Sequence, residues 1–459
     1  MSRPDVVVVG GGLAGIRAAL DAADAGARVT LVERRGKLGG LTWSFRRKGR
    51  WFDNGQHVFL RCCSAYRGLL DRIGASGLVH LQERLEVPVL AAGGRRSDIT
   101  RSSLPAPLHL LGSLSRYRHL RLADRVALAR PALALRRLDL GDPSLDAVTF
   151  GEWLARHGQS PAAIAALWDL IALPTLNVAA DEASLALAAM VFRTGLLDRA
   201  DAGDIGWSAV PLAVLHGEYA ARALAAAGVE VVLGAAVEAL EVGEDRSRRA
   251  VRFGDARLEA DAVIVAAPPE VAAGLLGPGV LGPVERLGTS PIVNVHLVFD
   301  ARVTELSFFA CVGSPVQFVF DRTDSAYFGQ PPEAAGDTQC LSISLSGADA
   351  DIGRRPEELI SSYLEALSEV VPAVAGARLI DAVVSRERSA TFRAVPGSAA
   401  LRPPARTSLE RVFVAGAWCD TGWPATMEGA VRSGTAAAAA ALAVLDASPH
   451  DAVLEEVSR

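Results

Sequence analysis

The chain begins with a short apolar run that leads directly into a glycine-rich turn. Val6 to Val9 are all valine, and glycines follow at positions 10, 12 and 15 in the spacing Gly-x-Gly-x-x-Gly. A β-branched run of this length is typical of a buried parallel strand. In such a turn Gly10 allows the tight bend, Gly12 lets a pyrophosphate approach the backbone, and Gly15 lets the next helix pack against the strand. The pattern predicts a dinucleotide-binding unit.

The residues after this turn support the same prediction. Leu13 and Ala14 open the predicted helix, whose first N–H groups are free to meet phosphate oxygens. A second strand-like run, 27–32, ends at Glu33, eighteen positions after Gly15. An acid at this place accepts hydrogen bonds from an adenosine ribose, which disfavours a 2′-phosphate and therefore NADP.

Composition narrows the function classes. The 459 residues carry 47 basic and 52 acidic side chains, and the net charge of −5 provides no field that would recruit nucleic acid. The five cysteines are scattered without metal-ligand spacing, so we expect neither a disulfide framework nor a metal site. The N-terminus lacks a secretory pattern and no apolar run is long enough to span a bilayer, which predicts a cytoplasmic protein. Half of the residues are nevertheless apolar, and the surplus needs a pocket or an exposed patch.

The order of predicted elements indicates an α/β fold with two interleaved domains. Strand–helix–strand patterns predict a Rossmann-like cofactor domain, and the intervening segments predict a discontinuous mixed α+β substrate domain. Residues 86–209 are predicted to be mostly helical, whereas 276–384 alternate as an antiparallel sheet would. The predicted cofactor domain comprises 1–85, 210–275 and 385–459, and the substrate domain 86–209 and 276–384.

Two further motifs resemble those of the amine oxidase and phytoene desaturase superfamily. The segment 414–434 is similar to its C-terminal flavin motif, and 33–40 is similar to its second phosphate loop. The resemblance implies FAD as the cofactor, with Arg34 near the adenosine or phosphate and the backbone of Val237 near the adenine. The cofactor-binding set is then Gly10, Gly12, Leu13, Ala14, Gly15, Glu33, Arg34, Gly39, Gly40, Leu41, Thr42, Gly55, Gln56, His57, Val237, Ala267, Gly416, Ala417, Trp423, Thr426 and Met427.

Departures from the superfamily pattern refine this expectation. The family commonly has an acid where this chain has Ala417, so either flavin binds more loosely or Asp420 substitutes. Amine oxidases of this fold usually place a lysine on the substrate side of the flavin. The only lysines here, Lys37 and Lys48, lie in the N-terminal segment, which disfavours oxidase activity. A single complete glycine fingerprint offers no second site for a nicotinamide, so we expect a separate, unidentified electron donor.

A narrower resemblance rests on the segments 53–58, 388–397 and 424–434. These resemble the hydroxysqualene dehydroxylases, the squalene-associated desaturases of hopanoid-producing bacteria. The resemblance implies that the hydroxyl of a linear C30 isoprenoid alcohol is replaced by hydride. Loss of a hydroxyl needs a proton donor. His57 is the first candidate, with Asp53 orienting it or acting in its place and Gln56 beside it; alternatively, Asp53 and Gln56 only tie the loop together and His57 packs on the flavin.

Other functions remain open at this point. A carotenoid-type desaturase uses the same fold with hydride transfer in the opposite direction, and prenyl-binding carriers share the fold without flavin chemistry. A hydrocarbon substrate resides in lipid, and residues 101–140 carry eight arginines against two aspartates with interspersed leucines. This segment is either an interfacial surface that contacts anionic lipid at the inner face of the cell membrane or an ordinary solvated helix face.

Overall fold

The computed structural model describes residues 3–243 and 248–446. In chain order the strands β1 to β20 of this part are Asp5–Val9, Arg28–Glu33, Ser44–Arg47, Arg50–Asp53, Val58–Leu60, Val79–Leu81, Glu86–Ala91, Arg95–Thr100, Ile205–Ser208, Glu230–Leu233, Ala239–Val242, Arg249–Phe253, Ala256–Ala260, Ala262–Val265, Ser290–Phe299, Phe308–Cys311, Phe318–Asp321, Gln339–Ser346, Leu379–Thr391 and Val412–Val414. The α-helices α1 to α14 are Leu13–Asp24, Ser64–Arg72, Leu111–Leu114, Leu122–Ala127, Ala129–Arg137, Phe150–Arg156, Pro161–Ala163, Asp169–Leu176, Leu185–Phe192, Tyr219–Ala226, Pro269–Leu276, Thr323–Ala326, Pro356–Val370 and Met427–Asp446.

The first layer is a five-stranded parallel sheet in the order β10-β2-β1-β14-β20. Its strands come from the beginning, middle and end of the chain, as the Rossmann-like pattern predicts. Val8 and Ile264 are fully buried partners at the centre of this sheet. Because both faces of such a sheet are covered, its strands are continuous apolar runs rather than alternating ones.

Helices α1 and α14 pack against each other beside this sheet and bring the two ends of the described chain together. A Cβ at Gly434 would lie 2.2 Å from the carbonyl oxygen of Ala14, so the helices touch backbone to backbone there. Arg17 Nε also donates to Thr435 Oγ1 at 3.0 Å. The C-terminal flavin-like motif is thereby fixed next to the N-terminal glycine turn.

The second main layer is a seven-stranded sheet in the order β19-β15-β18-β17-β16-β7-β8, with α13 packed against it. All its pairings are antiparallel except that of β16 with β7. The predicted antiparallel sheet is therefore present. Strand β19 runs from 379 to 391 and so crosses the predicted domain boundary at 385.

The prediction that residues 86–209 are mostly helical was wrong for the start of this segment. Residues 86–91 and 95–100 form β7 and β8, which complete the large sheet. The two strands form a hairpin with each other, and Val89 also pairs with Ala310, more than 200 positions away, a pairing that leaves no signal in local periodicity. The rest of the segment consists of short helices around a buried aromatic cluster that includes Phe150, Trp168 and Phe192, followed by strand β9.

Within the described residues, none of the helices combines the length and apolarity needed to cross a bilayer.

Candidate functional site

The glycine turn between β1 and α1 lies directly against the second glycine pair. Gly39 N donates to the Gly11 carbonyl at 2.8 Å, and a Cβ at Gly40 would lie 2.8 Å from Gly12 Cα. A Cβ at Gly15 would lie 1.9 Å from the Gly10 carbonyl oxygen. These approaches are open only to glycine, and they build one continuous side-chain-free surface at the N-terminus of α1.

The acid at the end of β2 is held by this turn. One carboxylate oxygen of Glu33 accepts from Gly11 N at 2.7 Å and the other accepts from Arg35 N at 2.7 Å. Arg34, predicted to lie near the cofactor, is exposed, whereas Arg35 donates to the Gly40 carbonyl at 3.1 Å. The arginine that supports the second loop is thus the neighbour of the predicted one.

The remaining predicted contacts surround the same two turns. Thr42 is buried and donates to the Gly39 carbonyl at 2.7 Å, while its neighbour Leu41 is exposed. Val237 is half-buried in the loop after β10, a loop that bonds to the backbone of Glu33 through Ala235 N at 3.0 Å. The structure therefore places the predicted adenosine-side residues together.

The C-terminal turn after β20 faces the end of β14. Gly416 N donates to Ser433 Oγ at 2.8 Å, and Trp418 Nε1 donates to the Ala267 carbonyl at 3.0 Å. Ala417, at the position of the missing acid, is half-buried. Asp420 is exposed and accepts from Gly422 N at 3.2 Å, so its carboxylate stabilises a surface turn instead of replacing the acid.

Helix α14 begins at Met427, and the turn before it shapes the helix N-terminus. Thr426 Oγ1 accepts from Gly429 N at 3.2 Å, as an N-capping side chain does. Trp423 is half-buried, and the Arg432 guanidinium lies 4.8 Å from its ring centroid. Glu428 accepts from the N–H groups of residues 65 and 66, in the first turn of α2, and so caps that helix.

This arrangement fits FAD. Gly12 is the decisive position, because a Cβ there would meet only the Cα of Gly40, at 3.7 Å, and the exposed backbone is open to a pyrophosphate. The helix N-terminus of α1 favours that negative charge, and the N-terminus of α14 favours negative charge at the opposite end of the cofactor. Residues of both chain ends would hold it, as the sequence predicts.

The loop between β4 and β5 contains the candidate catalytic residues. The Asp53 carboxylate is buried, accepts from Ser44 Oγ at 2.7 Å and from Leu212 N at 3.0 Å, and pairs with Arg322 at 3.0 Å. Arg322 also donates to the carbonyl of Ser208. Asp53 is therefore committed to an ion pair and does not hydrogen-bond to His57, which removes the predicted direct orienting contact.

His57 is oriented by the backbone of its own loop. Its Nδ1 lies 3.1 Å from the Gly55 carbonyl, and since a carbonyl only accepts, Nδ1 carries the proton of this bond. Nε2 has no hydrogen-bond partner among the described residues. Burial is the main cause that lowers the pKa of His57, so the ring is neutral near pH 7 and its Nε2 is then an acceptor.

Gln56 and His57 line adjoining clefts between the two layers. Gln56 donates to Ser342 Oγ on β18 at 3.0 Å, which ties the loop to the large sheet. Asp53, Gln56 and Arg322 line both clefts; the His57 side adds Trp207 and Phe320, and the other side adds Trp51 and His296. The structure thus brings the three predicted catalytic residues to one site, which polar and aromatic side chains line together.

Several residues of this site were not predicted. Arg322, Asn54 and Glu387 make the principal polar contacts of the loop, and Asn54 Nδ2 donates to Glu387 Oε1 at 2.8 Å. None of them belongs to a recognisable local motif except Asn54, which lies inside the 53–58 block. Their partners are distant in sequence, so only the packing of the large sheet on the loop reveals them.

The comparisons with known proteins agree with this geometry. The family model for flavin-containing amine oxidoreductases matches residues 13–442. The chain belongs to this family. It is an FAD-dependent oxidoreductase with the fold of solved family members: cyclohexylamine oxidase from Brevibacterium oxydans superposes with a TM-score of 0.69 at 20% identity, over 97% of this chain and 100% of that one.

Curated relatives identify the branch of the family. The hydroxysqualene dehydroxylase of Rhodopseudomonas palustris is 30% identical over 451 residues, which cover 95% of this chain and 98% of that protein. The enzyme of the same name from Zymomonas mobilis is 28% identical over 446 residues, again 95% and 98%. The 15-cis-phytoene desaturase of Solanum lycopersicum is 24% identical over 94% of this chain and 76% of its own length. The predicted resemblance to hydroxysqualene dehydroxylases is confirmed.

Proposed function

We propose that this protein reduces hydroxysqualene, a linear C30 allylic alcohol, to squalene and water. The observation that carries the proposal is the match to hydroxysqualene dehydroxylases over 95% of the chain and 98% of those proteins. Segments 1–85, 210–275 and 385–459 would hold the cofactor, and 86–209 and 276–384 would enclose the substrate. An electron donor outside this chain would restore the reduced cofactor.

Two transfers are required, and the chain's own residues account for one of them. Reduced FAD, when bound, supplies a hydride with its electron pair to the carbon that loses the hydroxyl. The C–O bond breaks as the hydroxyl oxygen takes a proton and leaves as water. His57 would donate that proton from Nε2 in its protonated form, because Nδ1 is already bonded to Gly55. The aromatic walls at Trp207 and Phe320 would shield the allylic cation from water.

A direct assay tests the proposal. We expect the purified protein to show an FAD spectrum, and the protein reduced without oxygen to convert hydroxysqualene to squalene as its flavin is reoxidised. Phytoene, supplied to the oxidised protein in parallel, tests the alternative that the protein is a desaturase, since a phytoene desaturase of Solanum lycopersicum is also a relative. Dehydrogenation of phytoene without loss of the hydroxyl from hydroxysqualene would overturn the proposal, and so would a colourless protein that cannot be reconstituted with FAD.

The second part of the proposal concerns how a lipid substrate reaches the site. Seven of the twelve exposed large apolar side chains of the described residues lie between 104 and 140, with Leu122 and Val126 about 70% exposed. The same stretch has eight arginines against two aspartates. Exposed apolar groups beside cations suit the surface of an anionic bilayer, so we propose peripheral contact with the inner face of the cell membrane through 101–140.

Vesicle binding tests the membrane contact. The double variant Leu122→Ser/Val126→Ser should bind vesicles of anionic phospholipid at least about fivefold less than the parent chain, because two apolar side chains no longer enter the lipid. Co-sedimentation measures the bound fraction. Leu233→Ser/Val242→Ser, which removes exposed apolar groups elsewhere, is the matched control. Equal binding by both double variants would place the contact outside this segment.

A further inference from the structure

Glu387 lies on β19 of the large sheet, and its side chain contacts the loop between β4 and β5. Its Oε1 accepts two hydrogen bonds, from Trp43 Nε1 at 3.0 Å and from Asn54 Nδ2 at 2.8 Å. The ammonium of Lys37 lies over the same Trp43 ring, 3.9 Å from its centroid. This carboxylate of the large sheet therefore contacts both the segment that follows the second phosphate loop and the loop between β4 and β5.

Through Asn54 this carboxylate controls the backbone that orients His57. Asn54 is 1% exposed; its side chain also donates to the Leu41 carbonyl at 2.7 Å, and its backbone carbonyl accepts from Ser385 Oγ at 2.8 Å. The next residue is Gly55, whose carbonyl accepts the hydrogen bond from His57 Nδ1–H. A peptide fixed by so many bonds holds the imidazole in one orientation.

The charges that face His57 come from four elements. Asp53 ends β4, and Arg322 directly precedes α12. Their charges neutralise each other in an ion pair of 3.0 Å. His216, whose pKa burial lowers to about 3, is neutral. Glu387 forms no ion pair within 4 Å of its carboxylate among the described residues. Its negative charge is therefore not cancelled by a cation in contact, and Lys37, over the Trp43 ring, is the nearby cation that acts on it.

We propose that Glu387 is a positioning residue for His57: it fixes the Asn54–Gly55 peptide, and its charge favours the protonated imidazole that donates to the leaving hydroxyl. The role of the proton rests on the proposed function, whereas the electrostatic coupling of the two side chains does not. Nothing in the motifs near Glu387 indicates this role.

Glu387→Gln separates charge from geometry, since the amide oxygen of glutamine still accepts both bonds. We expect the variant to keep its flavin spectrum and the pKa of His57 to fall by about one unit, because removing an opposite charge that acts on the imidazole destabilises the cation. Titration of the histidine signals in ¹³C-histidine-labelled protein, assigned with His57→Ala, measures this directly. Glu369→Gln, at an exposed helix position, is the matched control.

The rate should follow the titration. Above the pKa of His57 the protonated fraction falls tenfold per pH unit, so single-turnover reoxidation by hydroxysqualene should be about tenfold slower in Glu387→Gln near neutral pH and should recover on acidification. An unchanged His57 titration would overturn the inference, and so would a rate loss that is equal at every pH. If the parent protein does not convert hydroxysqualene, the proposed function fails and the titration still decides the role of Glu387.

Discussion

Gly15→Val is expected to abolish flavin binding and with it all oxidoreductase activity. The first side-chain carbon would stand 1.9 Å from the Gly10 carbonyl oxygen, well inside contact distance, so α1 would have to move away from β1. The N–H groups at the start of that helix would then no longer converge on a pyrophosphate. Absorbance of the purified variant, and flavin released on heating, measure the stoichiometry.

A second variant distinguishes loss of flavin binding from misfolding of the protein. Gly12→Ala places its Cβ in open space, 3.7 Å from the nearest backbone atom, so the fold should be kept and the thermal unfolding midpoint should be unchanged. The methyl group would nevertheless occupy the face that the pyrophosphate approaches, and we expect at least about tenfold weaker FAD binding. Gly36→Ala, in the same region with no neighbouring atoms, is the control. Full flavin content in both Gly15→Val and Gly12→Ala would show that the cofactor lies elsewhere.

His57→Ala is expected to slow turnover by about two orders of magnitude or more while the flavin spectrum stays unchanged, since a general acid contributes on that scale. Single-turnover reoxidation of the reduced protein by hydroxysqualene is the measurement. His157→Ala removes a histidine that stacks on Trp153 in the helical region and should have little effect on the rate. An unchanged rate in His57→Ala would remove this side chain from the mechanism.

The pH dependence of the parent enzyme provides a second check on His57. Burial lowers the pKa of His57 below the usual 6.5, and the bond to Gly55 leaves Nε2 without a proton in the neutral ring. The donating form therefore accumulates as the pH falls through that lowered pKa. The rate should rise on the acidic side of pH 6.5 and level off below the pKa. A rate that rises from pH 6 to pH 8 would contradict the assignment.

Local motifs were sufficient to predict the cofactor end of the site. The glycines of the turn at 10–15 and of the pair at 39–40 are explained by their residue type, because only glycine permits the backbone approaches that the structure contains. The acid at 33 is explained by its place at the end of the second strand, where a carboxylate can meet a ribose. The C-terminal motif was predicted from its resemblance to the superfamily, and in the structure it contains the start of α14 at Met427.

The reaction end was predictable only as a set of candidates. The block 53–57 is visible in the chain, yet the partner of Asp53 is Arg322, 269 positions later, and the partner of Asn54 is Glu387, 333 positions later. Strand β7 joins the large sheet through β16, more than 200 positions later, whereas β8 pairs with β7 itself across a short glycine turn, a local signal that the prediction of helix overlooked. Contacts between distant segments depend on how two layers pack, and a linear pattern does not record that packing.

By itself, then, the order of residues determined the parallel sheet and its glycine turns, since these depend on short-range steric limits and helix termini, and the resemblance of its motifs to the superfamily implied FAD. The tertiary structure alone decided that Asp53 forms an ion pair and that the Gly55 carbonyl orients His57. It also decided that Glu387 hydrogen-bonds to the side chain of Asn54 in the same loop. Those facts set which atoms are free to move a proton, and they arise because the large sheet covers the loop 53–57.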